Sequence, residues 1–120
     1  ELYKKDDENH VVVARVDLGR NLDGHPGVVH GGIIALLIDE TLGFGFFSMG
    51  VPFAYTANLS INYMAPVAAG STILVEVKLD RQENRKLFWT ASVLSPDRET
   101  TYCNATSLFI IPREHHDTSK

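Results

Sequence analysis

The chain has 120 residues and a mass of 13.3 kDa, with 44% hydrophobic and 22% charged residues; this is one globular domain, and a disordered or fibrous chain is excluded. Eleven basic residues against fifteen acidic ones leave a net charge of −4, which argues against a nucleic-acid binder because a phosphate-tracking surface needs a basic excess. The single cysteine, Cys103, excludes an internal disulfide and a cysteine-based zinc site and points to a reduced, intracellular compartment.

In chain order, residues 1–8 are taken as a flexible end and residues 11–18 as a first strand. The most apolar stretch, 31–49, has the length of a membrane span. Asp39-Glu40 interrupts its middle, and an Asp at mid-bilayer costs about 2.5 kcal/mol or more. It is therefore read as a buried helix, and no transmembrane segment is expected. Ile33, Ile34, Leu36, Leu37, Ile38, Leu42, Phe44, Phe46 and Phe47 point all round it, so it needs cover on nearly every side.

The cover follows at once. Ala57, Leu59, Ile61 and Tyr63 alternate with Thr56, Asn58, Ser60 and Asn62, a period of two. Ile73, Val75, Val77 and Leu79 alternate with Glu76, Lys78 and Asp80, and Leu87, Trp89, Ala91 and Val93 repeat the pattern. Residues 100–111 read as a last strand before Pro112, and turn signals fall at 65–70, 82–84 and 95–97. Short links favour antiparallel neighbours. The fold class is α+β, a single domain over 1–120 with an antiparallel β-sheet wrapped around one long central α-helix. The polar residues 113–120 form a second flexible end.

His30-Gly31-Gly32 stands where a loop runs into the helix. A helix N-terminus carries unpaired N–H groups and roughly half a positive charge. Two glycines there let a substrate oxygen approach the backbone, as in an oxyanion site; they equally permit a tight turn onto the helix. Asp39 is sharper, since a carboxylate in an apolar helix costs stability unless it is paired or has a task. Glu40 lies about 100° further round and is read as a surface group. Gly32 and Asp39 share one helix face but lie about 10 Å apart along the axis. A nucleophile and an oxyanion donor must each lie about 3 Å from the reacting atoms. One helix cannot supply both, whereas two antiparallel copies can, which implies a symmetric dimer with two interfacial sites.

The HGG run followed by an aliphatic stretch and Asp39, the segment Thr56-Ala-Asn-Leu-Ser-Ile-Asn-Tyr-Met-Ala-Pro66 and the closing Ala105-Thr-Ser-Leu-Phe109 resemble the hotdog-fold acyl-CoA thioesterases of the PaaI type. Within them, the Thr56-Ala-Asn-Leu59 variant with the closing Ala105-Thr-Ser-Leu-Phe109 looks like the branch of thioesterase superfamily members four and five. The resemblance implies that Asp39 acts as general base or nucleophile on the thioester of a fatty acyl-CoA, medium- or long-chain given Phe44, Phe46, Phe47 and Phe53. It also implies that the Gly31 and Gly32 backbone polarises the carbonyl, that His30 shapes the pocket and that Thr56 supports the attacking water or Asp39. Some relatives carry Asn at the position held here by Gly24; its absence leaves the oxyanion site to backbone N–H and His30, with His25 as a further candidate. Coenzyme A is expected as part of the substrate rather than as a cofactor, and the assembly as a homodimer or homotetramer.

The phosphates of an acyl-CoA need a local basic patch, and the dense one is Arg81-Gln-Glu-Asn-Arg85-Lys86; Arg85 and Lys86, with Asn58, are the substrate-binding candidates. His10 and the pair His115-His116 are taken as ordinary surface histidines, and no metal is expected. Cys103 is read as inert packing. A serine hydrolase is disfavoured by the missing Gly-x-Ser-x-Gly elbow. The chain begins at Glu1 rather than Met; read as loss of an upstream piece, this takes any targeting peptide with it, and cytoplasm and mitochondrion are both expected. Two rivals stay open. A non-catalytic acyl-CoA or protein-binding module would have no need of Asp39, and a hydratase or dehydratase would pair a His with an acid differently.

Overall fold

The computed structural model describes residues 2–6, 10–19, 23–25 and 27–113, with 2–6 and 23–25 described through their backbone alone. Its elements are β1 (Leu2–Asp6), β2 (Val11–Asp17), β3 (Asp23–His25), β4 (Val28–Val29), α1 (Gly31–Ser48), β5 (Tyr55–Tyr63), β6 (Thr72–Glu83), β7 (Lys86–Leu94) and β8 (Thr101–Ile110). Six of the strands make one antiparallel sheet in the order β1-β2-β6-β7-β8-β5, and β3 pairs with β4. This is the α+β hotdog arrangement, a sheet packed along a single helix.

Local chemistry sets both ends of α1. His30, extended at φ −61° and ψ 134°, is the N-cap, and its Nδ1 accepts the Gly32 N–H at 2.8 Å. At the other end Gly50 adopts φ 88°, donates to Phe47 O at 3.0 Å, and is followed by Val51 donating to Phe46 O at 3.2 Å. This paired arrangement closes a helix whose next residue must be left-handed, where glycine carries no Cβ penalty. Between the caps Ile34, Ile38, Leu42 and Phe46 are buried. They meet Val12, Ala14 and Val16 of β2, Ile73, Val75 and Val77 of β6, Leu87, Trp89, Ala91 and Val93 of β7, and Cys103, Ala105 and Phe109 of β8 in one core.

Gly45 is where helix and sheet come closest. A Cβ there would stand 2.9 Å from Trp89 Cη2 and 3.1 Å from Cζ3, whereas one at Gly43 would meet Phe46 at an ordinary 3.9 Å. The Trp89 ring is buried and wedged by packing, since its Nε1–H has no acceptor among the described residues. Gly45→Val is therefore expected to lower stability by about 2–3 kcal/mol through overpacking. Gly43→Ala should raise it by up to about 1 kcal/mol through helix propensity. Urea denaturation of both variants checks the pair, and equal effects would refute the contact argument.

Several sequence expectations need correction. Residues 2–6, placed in a flexible end, form β1 along the edge of β2; Arg113 is described, and residues 114–120 lie outside the described residues. The turn expected at 82–84 falls later, because β6 runs on through Gln82 and Glu83, which pair with Leu87 and Lys86. Asn84 makes the reversal at φ 56°, a conformation Asn tolerates. Strands β5 and β6 are consecutive but not neighbours, since β5 pairs with β8 at the edge. The connection 64–71 instead lies against residues 27–29, with Val29 N–H donating to Val67 O and Ala69 N–H to Gly27 O, both at 2.8 Å. It thereby walls the start of α1.

The helix was expected to be covered on nearly every side. By length and apolarity α1 could cross a membrane, yet its buried residues pack against the sheet. On the other side Leu36 and Phe47 stay 62% and 65% exposed, with Phe44 also open. Phe53, just before β5, and Tyr55, its first residue, are exposed as well, and the outer edge of β5 has no strand partner among the described residues.

Candidate active site

Asp39 sits midway along α1, half-buried, and its Oδ1 accepts the Thr56 hydroxyl at 2.8 Å. Strict alternation would turn Thr56 away from the helix, because Leu59 and Ile61 of the same strand pack on the core. A bulge resolves this. Thr56 pairs with Phe109 and Asn58 with the next residue, Leu108, so Ala57 is the extra residue in β5. One added residue reverses which face the side chains take. Thr56 and its partner Phe109 therefore share the inner face with Leu59–Ser107, Ile61–Ala105 and Tyr63–Cys103.

At the start of α1 the two glycines have different work. The Gly32 N–H is taken by His30 Nδ1, and a Cβ at Gly32 would press to 3.0 Å from that nitrogen, so Gly32 makes room for the cap. The Ile33 N–H donates to His30 O at 3.0 Å. The Gly31 N–H has no acceptor among the described residues. Of the two glycines proposed as carbonyl donors, Gly31 is thus the one with an N–H to give. Because His30 Nδ1 accepts, neutral His30 carries its proton on Nε2 and presents a second donor.

Tyr63, which sequence reasoning treated only as a strand residue, closes over this point. Its hydroxyl donates to Gly31 O at 2.8 Å. Burial raises the phenol above its ordinary 10.0, with Cys103 adding to the shift, so the hydroxyl stays a protonated donor at neutral pH. The available signal was its inner-face position in step with Leu59 and Ile61. His30, Gly31 and Tyr63 line a cleft of about 530 Å³ whose other walls include Val28, Ile34, Pro66 and Val67, with Cys103 at its base. Cys103 is buried and burial pushes its thiol up, in keeping with a packing role.

Within one chain the two halves do not meet. Asp39 and Thr56 lie roughly 12 Å along α1 from Gly31, His30 and Tyr63. The proposed phosphate contacts lie at the β6–β7 hairpin, where Tyr55, Glu83, Asn84, Arg85, Lys86 and Ile110 line a pocket of about 310 Å³. Lys86 is exposed, while the half-buried Arg85 spends one guanidinium N–H on Ile111 O at 3.2 Å. Arg81 is neutralised by Asp80 at 3.0 Å and Glu83 at 2.6 Å and stacks on Phe88. Asn58 is exposed just after the bulge, and its carbonyl accepts the Ser107 hydroxyl at 2.8 Å. Gly24 and His25 belong to β3, described through backbone alone; His10 is exposed, and His115 and His116 lie outside the described residues. Among the described residues no three His, Cys, Asp or Glu side chains cluster as metal ligands.

The family model of the thioesterase superfamily matches residues 26–102, a span from the loop before His30 to the start of β8. The chain belongs to the thioesterase superfamily. It is 47% identical over 92 residues to the acyl-coenzyme A thioesterase THEM4 of Mus musculus and 45% identical over 92 residues to that of Rattus norvegicus. Each alignment covers 77% of this chain and 39% of the relative, so the chain spans about two-fifths of those superfamily members. A hypothetical thioesterase protein from Streptococcus pneumoniae TIGR4, solved with coenzyme A, superposes with a TM-score of 0.84 over 92% of this chain and 84% of its own at 19% identity. That likeness extends the superfamily fold over nearly the whole chain.

Proposed function

We propose that this chain is an acyl-CoA thioesterase domain that hydrolyses the thioester of a medium- or long-chain fatty acyl-CoA to the free acid and CoA. The observation that carries the proposal is the Asp39 carboxylate, held by the Thr56 hydroxyl at 2.8 Å on a helix whose first residue, Gly31, has an N–H with no acceptor among the described residues. The superfamily membership and the names of the THEM4 relatives support the substrate class.

In the proposed reaction Asp39 takes a proton from water as the water oxygen attacks the thioester carbon. A direct attack by Asp39, giving a mixed anhydride that water then opens, uses the same geometry. Negative charge on the carbonyl oxygen is met by the Gly31 N–H and the His30 Nε2–H. The C–S bond then breaks, and the CoA thiolate takes up a proton. Since these donors and Asp39 are too far apart within one chain, the site is completed by a second copy running antiparallel. The β5 edge, without a strand partner among the described residues, and the exposed Leu36, Phe47, Phe53 and Tyr55 supply an apolar seam for that dimer, which could pair further into a tetramer. Lys86 and Arg85 meet the nucleotide phosphates, with Asn58 beside the acyl-CoA; no cofactor beyond the CoA of the substrate is invoked.

Steady-state thiol release from a panel of acyl-CoAs of increasing chain length tests the reading. Turnover that rises from acetyl to medium and long chains is expected. Tight binding without turnover on every chain length would sink it in favour of a binding module.

A further inference from the structure

One peptide group at the start of α1 is bonded at both ends. The carbonyl of the Gly31–Gly32 peptide accepts from the Tyr63 hydroxyl at 2.8 Å, and its N–H donates to His30 Nδ1 at 2.8 Å. A peptide between two glycines rotates at little steric cost because neither residue has a Cβ. At a helix start the N–H groups lack intrahelical acceptors while the carbonyls are engaged, so the Gly32 N–H relies on the cap, and a residue bonded to the Gly31 carbonyl is an added anchor for this peptide. Tyr63 is well placed to be one. It pairs with Cys103 of β8, and the next residue, Met64, donates its N–H to Tyr102 O at 2.8 Å. Its ring lies 3.5 Å from the point where a Cβ of Gly31 would stand, against the bare backbone.

We propose that Tyr63 is a positioning residue, whose hydroxyl locks the Gly31–Gly32 peptide and through it holds His30 as the Nε2–H tautomer beside the Gly31 N–H. Hydrogen bonds in series polarise one another, so a donor on the Gly31 carbonyl makes the Gly32 N–H a better donor to Nδ1. Imidazole tautomers otherwise interconvert freely; a firm N–H on Nδ1 leaves the ring proton on Nε2. The catalytic consequence rests on the thioesterase reading: two donors, one backbone and one imidazole, converge on the carbonyl oxygen only while this chain is intact. Tyr63 touches neither the substrate nor Asp39 in this scheme. It acts on rate through the geometry of its neighbours.

The test is Tyr63→Phe, which keeps the ring and removes the hydroxyl, with Tyr102→Phe on β8 as the control for loss of a tyrosine hydroxyl elsewhere. Two readouts are taken on the whole chain: kcat and KM on the acyl-CoA panel, and the imidazole ¹⁵N shifts of His30, which report the tautomer without any turnover. In Tyr63→Phe, kcat should fall about three- to tenfold with KM within about twofold, the scale of one partly exposed hydrogen bond. The His30 nitrogens should move from the Nε2–H pattern toward a tautomer average, and Tyr102→Phe should match the parent in both readouts. An unchanged His30 pattern, or an unchanged kcat in an active enzyme, overturns the proposal. If the parent hydrolyses no acyl-CoA the thioesterase reading falls by itself, and the ¹⁵N pattern alone decides whether Tyr63 holds His30.

Discussion

Asp39→Asn is expected to lower turnover on acyl-CoAs roughly 10²–10⁴-fold, the range for loss of a positioned general base, while leaving the fold intact. The amide keeps an oxygen where Oδ1 stands, so the Thr56 hydroxyl still finds its acceptor at the present 2.8 Å position. What disappears is the ability to take a proton from water or to attack the thioester. Steady-state hydrolysis read beside a thermal melt separates the two outcomes. A folded variant with parental turnover would remove Asp39 from the reaction, and with it the feature that distinguishes a hydrolase from a binding module on this scaffold.

The second expected result is more demanding, because it tests geometry between copies. Gly31 is the first helical residue after the N-cap, a position where proline is well tolerated. The residue before it, His30, already sits at φ −61° and ψ 134°, which is where a residue preceding proline belongs. Gly31→Pro therefore deletes one N–H and little else. Its Cβ would meet Tyr63 at an ordinary 3.5 Å. Loss of a single carbonyl donor should lower kcat about 10²–10³-fold. When Asp39→Asn and Gly31→Pro chains are refolded together, a mixed dimer holds one site with both defects and one with none. Random pairing should then restore about a quarter of parental activity. A mixture no more active than its separate components would rule out a site shared between subunits.

Much of the fold was legible because it is written in a repeated pattern. Val12, Ala14 and Val16, then Ile73 to Val77, then Leu87 to Val93 alternate with a period of two, and the long apolar stretch after Gly32, interrupted by Asp39-Glu40, reads as a buried helix in need of a partner surface. What escaped is what periodicity does not encode. Strand β1 pairs with β2, and its sequence Leu-Tyr-Lys-Lys-Asp carries no apolar alternation to announce it. Strand β3 is Asp-Gly-His, three residues of which Asp and Gly have poor strand propensity. The placement of β5 beside β8 is a choice among sheet edges, which no local signal specifies. In the site, Asp39 was visible as an acid in the wrong company. Thr56 was reached through family resemblance alone, since alternation assigned it to the opposite face. Gly31 and Gly32 looked equivalent until the His30 imidazole was seen to occupy one of their N–H groups, and Tyr63 had no signal apart from its phase in the strand.

The bulge at Ala57 has a consequence for how this domain tolerates change. Ala57 is exposed, so nearly any side chain can replace it without disturbing the Asp39–Thr56 bond. Removing the residue is a different matter, because the strand would close up into a regular ladder and carry the Thr56 hydroxyl to the outside of the sheet. At this position the chemistry depends on the number of residues in the chain and hardly at all on which residue is there.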